Sequence, residues 1–167
     1  LLEVLVFRSL FRNTKTEKQG EALGVGSAKW LWLGALVFHW SMLIIVLRHL
    51  RFFLEPVPGA IMALEGADAF FQIGLPALYL TDLTFLFVRR VVIPRVRYLS
   101  LPNDFFPLFL LLGVVIAGIA MRYFFRVDIE GVKEVAMGLV TLHPVVVAGI
   151  GPIFYVHLFL ASVLIGY

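Results

Sequence analysis

Residues 29–53 read KWLWLGALVFHWSMLIIVLRHLRFF, and residues 30–47 within them contain no Asp, Glu, Lys or Arg. As a helix, that stretch is long enough to cross a bilayer core, which takes about 20 apolar residues at ~1.5 Å each. Two histidines sit inside it, His39 in the apolar middle and His49 near the far end. An ionisable side chain within a span costs free energy and marks a site by default. Ten residues of helix separate the two imidazoles by ~15 Å and rotate them by about 80°. The remaining histidines of the chain, His143 and His157, flank another apolar segment. This pattern points to two haems, each clamped between two helices.

The chain has 167 residues, 61% hydrophobic and 15% charged, with a mean hydropathy of +0.97. That is the composition of a membrane protein, with room for roughly four or five spans in one bundle. The chain opens without Met and closes inside an apolar run, so a piece of a longer protein is expected. No secretory signal pattern with a small-residue cleavage site is visible. The absence of cysteine excludes covalent haem attachment through C-x-x-C-H and any thiolate-held cluster. A net charge of +3, scattered along the chain, gives no footprint for nucleic acid.

In chain order, residues 1–12 are apolar but broken by Glu3 and Arg8, as at the end of a preceding span or in an interfacial helix. Residues 13–28 read as a cytoplasmic loop, so that 1–28 stand apart from a membrane domain over 29–167. Span A covers 29–53 and ends before Pro56, Pro58 and Gly59. Span B covers 69–89, with Pro76 expected to kink it. Span C covers 105–125, and Gly113 and Gly118 offer close approach to a neighbour or a flat cofactor. Residues 126–137, mixed in charge, are expected along the surface. The last apolar run, 138–167, holds Pro144, Gly149, Gly151 and Pro152. It exceeds a ~30 Å core, so span D must be tilted, kinked or started outside. The expected fold is an all-α polytopic transmembrane bundle of four spans, with a fifth ending in residues 1–12 as the alternative.

Charge orients the bundle. Arg8, Arg12, Lys15, Lys18 and Lys29 precede span A, and Arg89, Arg90, Arg95 and Arg97 follow span B. These nine of the fourteen Lys and Arg mark the cytoplasmic side. Spans A and C then run outward, and B and D inward. His39 becomes level with His157, and His49 with His143, so two bis-histidine pairs face each other across spans A and D. A pair of axial imidazoles on facing helices is what a six-coordinate haem requires. Against this, a lone histidine in a span commonly just hydrogen-bonds between helices. Zinc fits poorly, because the two pairs lie too far apart to close one tetrahedral site.

The segments FHWSMLIIVLRHLRFF around His39 and His49, DFFPLFLLLGVVIAGIAMRYF in span C, VKEVAMGLVTLHP and RHLRFFLEPVP resemble the dihaem cytochrome b subunits of the respiratory nitrate reductase gamma type. Within that group the resemblance is nearest to the membrane cytochrome subunit of the sulfite-reduction-associated transmembrane complex. It covers residues 28–167. The resemblance implies two b haems ligated by His39, His49, His143 and His157. It further implies electron exchange between membrane menaquinol and a cytoplasmic iron–sulfur subunit resembling the heterodisulfide reductase catalytic subunit. A multihaem cytochrome c is implied among the other subunits of such a complex, in a prokaryotic cytoplasmic membrane. The spacing of 14 between His143 and His157 is shorter than the nitrate reductase branch leads one to expect.

Around the histidines, Arg48, Arg51 and Arg122 are candidates for holding haem propionates, which a guanidinium fork suits; ordinary snorkelling at span ends explains them equally. Asp68 and Gln72 open span B at the outer level, where a quinol would release protons; a helix cap is the plainer role for Asp68. Asp82 inside span B is a proton-carrier candidate, and pairing with an inner arginine is the favoured alternative. Trp30, Trp32, Tyr98 and Tyr123 read as interfacial anchors. The function expected is a quinol-oxidising electron-transfer subunit of an oxidoreductase complex. A stand-alone transmembrane haem b reductase and a haem-free scaffold or transporter are the rivals. Electrons would pass from the outer haem to the inner one and on to a partner docked at residues 89–97.

Overall fold

The computed structural model describes residues 5–8, 10, 25–66 and 70–167, whose regular elements are all helices, with no strand among them. Helix α1 spans Val25–His49 and tightens into a 3₁₀ turn, Leu50–Phe52. A short α2, Gly59–Gly66, follows, then a π-helical turn, Phe70–Gly74, that runs into α3, Leu75–Val92. After α4 (Pro94–Leu99), α5 covers Pro102–Ala120 and ends in a second π-helical turn, Met121–Phe125. Helices α6 (Ile129–Val140) and α7 (Pro152–Gly166) complete the chain. Packing runs α1 on α3, α3 on α5, and α5 on α7. The core forms where Tyr79, Leu83 and Leu108 meet Phe38 and Ile45 of α1.

Among the described residues, two continuous helical runs are long and apolar enough to cross a membrane, Trp30–Phe52 and Pro102–Phe125, and Pro152–Gly166 is a shorter apolar helix. Large apolar side chains point outward along them, with Phe124 78% and Ile165 87% exposed. That outward display suits hydrocarbon surroundings and would be a liability in water.

Local sequence explains the helix ends. Pro102 occupies the first turn of α5, where the backbone N–H of Leu101 donates to the Asp104 carboxylate at 2.8 Å. Asp128 caps α6 by accepting from the N–H groups of Glu130 (3.2 Å) and Gly131 (3.1 Å). The last apolar run does not form one kinked span. α6 closes in a Schellman-type turn, with His143 N–H donating to Gly138 O at 2.8 Å and Leu142 left-handed at φ 59°. Pro144 follows, the chain stays non-helical through residue 151, and α7 starts at Pro152. His143 therefore lies in a loop while His157 lies in a helix. The apolar helix of the last run thus begins only at Pro152 and is shorter than the two runs long enough to cross a membrane.

Prolines inside helices set two further joints. Pro76 has no N–H for the carbonyl four residues back, Gln72, and the Tyr123 hydroxyl of the neighbouring helix donates there instead. Pro107 likewise leaves Asn103 O without its helical donor, and Tyr167 Oη–H supplies one at 3.2 Å. The expected kink at Pro76 takes the form of the π-helical turn just before α3. Removing either hydroxyl, in Tyr123→Phe or Tyr167→Phe, should lower stability by about 1–3 kcal/mol, since a carbonyl loses its donor away from water. Thermal melts in detergent check this, with Tyr98→Phe at a 91% exposed position as the unaffected comparison.

Candidate functional site

His49 is the last residue of α1, and its Nδ1 lies 2.7 Å from Ile45 O. His157, in the second turn of α7, sets its Nδ1 2.9 Å from Val114 O of α5. A carbonyl only accepts, so each Nδ1 carries the proton and each Nε2 keeps its lone pair. His39 has the same arrangement with Ala35 O at 2.6 Å, and His143 with Thr141 O at 2.7 Å. In the neutral form, each of the four imidazoles then keeps its lone pair on Nε2. This is the tautomer a metal-ligating histidine adopts when its other nitrogen is held by a backbone carbonyl.

The structure brings two of the four together. The His49 and His157 rings lie 6.3 Å apart between centroids, within 13° of parallel. Two imidazole–metal bonds of about 2 Å, with the half-ring behind each nitrogen, add up to roughly this separation. The centroid distance is thus the size that bis-histidine ligation takes, and these two stacked rings are the residues that would hold a haem between α1 and α7. The level-by-level ordering read from the sequence sets His49 against His143 and His39 against His157. The contact observed joins His49 to His157. Its physical cause is the late start of α7: His143 and His157 do not share a helix, so the 14-residue helical offset between them does not exist. His39 instead meets Phe7 and Phe38, and His143 stands in the loop after α6.

Glycine makes the approach of α7 possible. A Cβ on Gly118 would come 3.3 Å from His157 Cε1, and one on Gly113 would come 3.0 Å from Leu160 Cδ1. Both glycines thus admit a neighbouring helix, as their spacing foretold. Phe52 lies against His49 at 6.1 Å, and the Arg51 guanidinium lies over Phe52 at 4.7 Å. Arg48 adjoins His49 in sequence, in the last turn of α1, and Arg122 follows Gly118 by one helical turn, 6.0 Å over the Tyr123 ring. No group of three or more His, Asp or Glu converges among the described residues, so two-imidazole ligation is the donor set on offer.

The remaining candidates fall into two sets. Asp68 lies outside the described residues. Gln72 is exposed and its backbone carbonyl belongs to the α3–α5 joint with Tyr123. Beside that joint is a groove of about 260 Å³ lined by Ile73, Pro76, Ala77, Ile119, Tyr123 and Phe124. Sequence reasoning missed it; Pro76 next to the small Ala77 was the available signal. Asp82 makes no ion pair with an inner arginine among the described residues, contrary to the favoured expectation. It is buried, its Oδ1 would lie 3.2 Å from a Cβ on Gly34, and its Oδ2 has no hydrogen-bond partner among those residues. Arg90 instead donates to Asp104 O at 2.9 Å.

Comparison with known proteins places the chain. The model of the nitrate reductase gamma subunit family matches residues 2–167. An Hdr-like menaquinol oxidoreductase cytochrome b-like subunit of Archaeoglobus fulgidus is 44% identical over 177 aligned positions, covering all of this chain and 53% of the relative. The protein of the same name from Archaeoglobus profundus is 36% identical, again over the whole chain and 52% of the relative. The nitrate reductase gamma chain of Bacillus subtilis is 32% identical over 70% of this chain and 53% of that one. The chain spans about half the length of these relatives. No solved structure matches it. Gly118→Val should push against an imidazole pinned by its own hydrogen bond and cost about 1–3 kcal/mol. Gly113→Ala, which meets only the flexible end of Leu160, should cost less; melting temperatures of the two variants test the order.

Proposed function

The chain belongs to the nitrate reductase gamma subunit family, and from that premise we propose that it is a membrane electron-transfer subunit linking menaquinol to a cytoplasmic iron–sulfur partner through b haems. The observation that carries this is the His49–His157 pair, 6.3 Å apart with both Nδ1 atoms tied to carbonyls. The printed names of the archaeal relatives, menaquinol oxidoreductase subunits described as Hdr-like, support the quinol and the partner class.

Bound there, a haem supplies one-electron transfer between quinol and partner. The chain's own residues do the rest. Ile45 O and Val114 O hold the two imidazoles in the ligating tautomer and aim their lone pairs. Gly118 lets α7 close on α5 so that His157 reaches His49. Arg48, Arg51 and Arg122 are proposed to hold propionates, as their fork geometry favours paired oxygens. Gln72 and Asp68 are proposed to receive the quinol hydroxyl beside the α3–α5 groove, and the arginines of residues 89–97 to dock the partner. All four histidines are assigned to ligation because all share the anchored tautomer, giving two haems. We take the ring contact to favour His49 with His157; the alternative is His49 with His143 and His39 with His157, and for it stands the packing of α6, which leads into His143, on the Leu50–Phe52 turn beside His49. Four spans in a prokaryotic cytoplasmic membrane, and a role in sulfur metabolism, complete the proposal.

A pyridine haemochrome count on protein purified from membranes should give two b haems per chain. If the contact holds, His49→Ala and His157→Ala remove the same haem, identified by its midpoint potential. If His157→Ala instead removes the haem lost in His39→Ala, the level-by-level ordering is right and the contact is not a ligand pair. Absence of haem in material grown with adequate supply would leave a haem-free scaffold.

A further inference from the structure

Two indole N–H groups of α1 reach to consecutive carbonyls near the start of the chain. Trp32 Nε1 donates to Val6 O and Trp40 Nε1 to Leu5 O, each at 2.9 Å. Eight residues of helix, ~12 Å, separate the two tryptophans, so the peptide they share crosses the stretch of α1 between them. The next residue, Phe7, places its ring 4.8 Å from that of His39, tilted by 48°. It does so from a left-handed backbone at φ 48°, which an aromatic residue holds only where its surroundings enforce it. His39 also meets the edge of Phe38 at 5.0 Å and is anchored through Nδ1 to Ala35 O.

Interfacial anchoring accounts for Trp32 near the start of the span, but not for Trp40, one residue past the mid-span His39. At that depth an indole N–H without an acceptor is costly, and so is a helix-end carbonyl, such as those of Leu5 and Val6, without a donor. The two bonds resolve both problems at once and fix where residue 7 must lie.

We propose that residues 5–7 form a strap whose role is to seat Phe7 on His39 and fix the rotation of that imidazole about its Nδ1 anchor. Phe7 is then a positioning residue: it acts through the plane in which His39 meets an iron. The proposal rests on the assignment of His39 as a haem ligand. The plane of an axial imidazole governs the electronic state of a low-spin iron, so a ring left free to turn changes the spectrum without changing the ligand.

The test is electron paramagnetic resonance and redox titration of the oxidised full-length protein. His39→Ala identifies the relevant haem by the low-spin signal it abolishes. Phe7→Ala should shift the low-field g value and the midpoint potential of that same haem, at unchanged haem content, with the other haem unaffected. Phe7→Tyr should restore both. Trp32→Phe combined with Trp40→Phe removes the two N–H donors while keeping an aromatic ring at each position and should reproduce the Phe7→Ala shift; this variant decides the matter if Phe7→Ala loses haem outright. An unshifted signal in Phe7→Ala and in the double tryptophan variant overturns the strap. Survival of every signal in His39→Ala overturns the ligand assignment and the strap with it, so the two failures appear in different variants.

Discussion

Hydrocarbon offers no hydrogen bonds, so a backbone carbonyl that loses its helical donor inside a span must find another from the chain itself. The joints between helices follow from this constraint. Pro76 and Pro107 each withhold an N–H from the carbonyl four residues back, and in each case a tyrosine from the adjacent helix supplies the donor. The first joint ties the start of α3 to the end of α5, and the second ties the start of α5 to the end of α7. Because the bonds lie at opposite ends of α5, they fix its tilt against both neighbours. The prolines, which in isolation would weaken two helices, thereby specify which helices pack and in what register.

The same requirement prepares the histidines. An imidazole in a span carries a donor that must be satisfied, and all four rings satisfy theirs on a carbonyl. Three of those carbonyls lie within four residues of the ring in sequence. Val114 O, which holds His157, comes from a different helix, so the position of that ring depends on α5 and α7 being docked. Gly118 permits the docking and the Tyr167–Asn103 bond holds its far end. The Nδ1–H tautomer is thus a by-product of polar satisfaction.

Much of this was legible in the sequence, and the limits are physical. Apolar length gave α1 and α5, the histidines gave the candidate site, and Gly113 and Gly118 gave the close packing of α5. The ring contact between His49 and His157 was not legible, because it depends on where α7 begins. That start is set by Leu142 taking a left-handed conformation after α6 and by the loop up to Pro152. A leucine carries no signal for such a turn, whereas glycine would have. Asp82 was expected to meet an arginine seven residues on, yet α3 places it against Gly34 of α1, a contact that only tertiary packing decides. Trp40 was likewise silent, since its partner is a carbonyl and carbonyls leave no mark in a sequence.

One helix carries two histidines, and the chain builds their surroundings from opposite ends. Late elements surround His49: Val114 O and Gly118 hold its partner His157, and Phe52 packs beside it. Early ones surround His39: Phe7 sits on its ring, and Phe38 links it to Tyr79 of α3 at 5.2 Å. The orphaned polar atoms of Tyr79 and Asp82 lie in this second neighbourhood and not in the first. Under the proposed electron-transfer role, two identical ligands in identical pockets would give two haems of equal potential and no preferred direction along α1. Polar atoms and solvent access around the ligand are the levers that separate such potentials. The asymmetry of the two settings therefore supplies what the shared helix cannot, a difference in energy between its two ends.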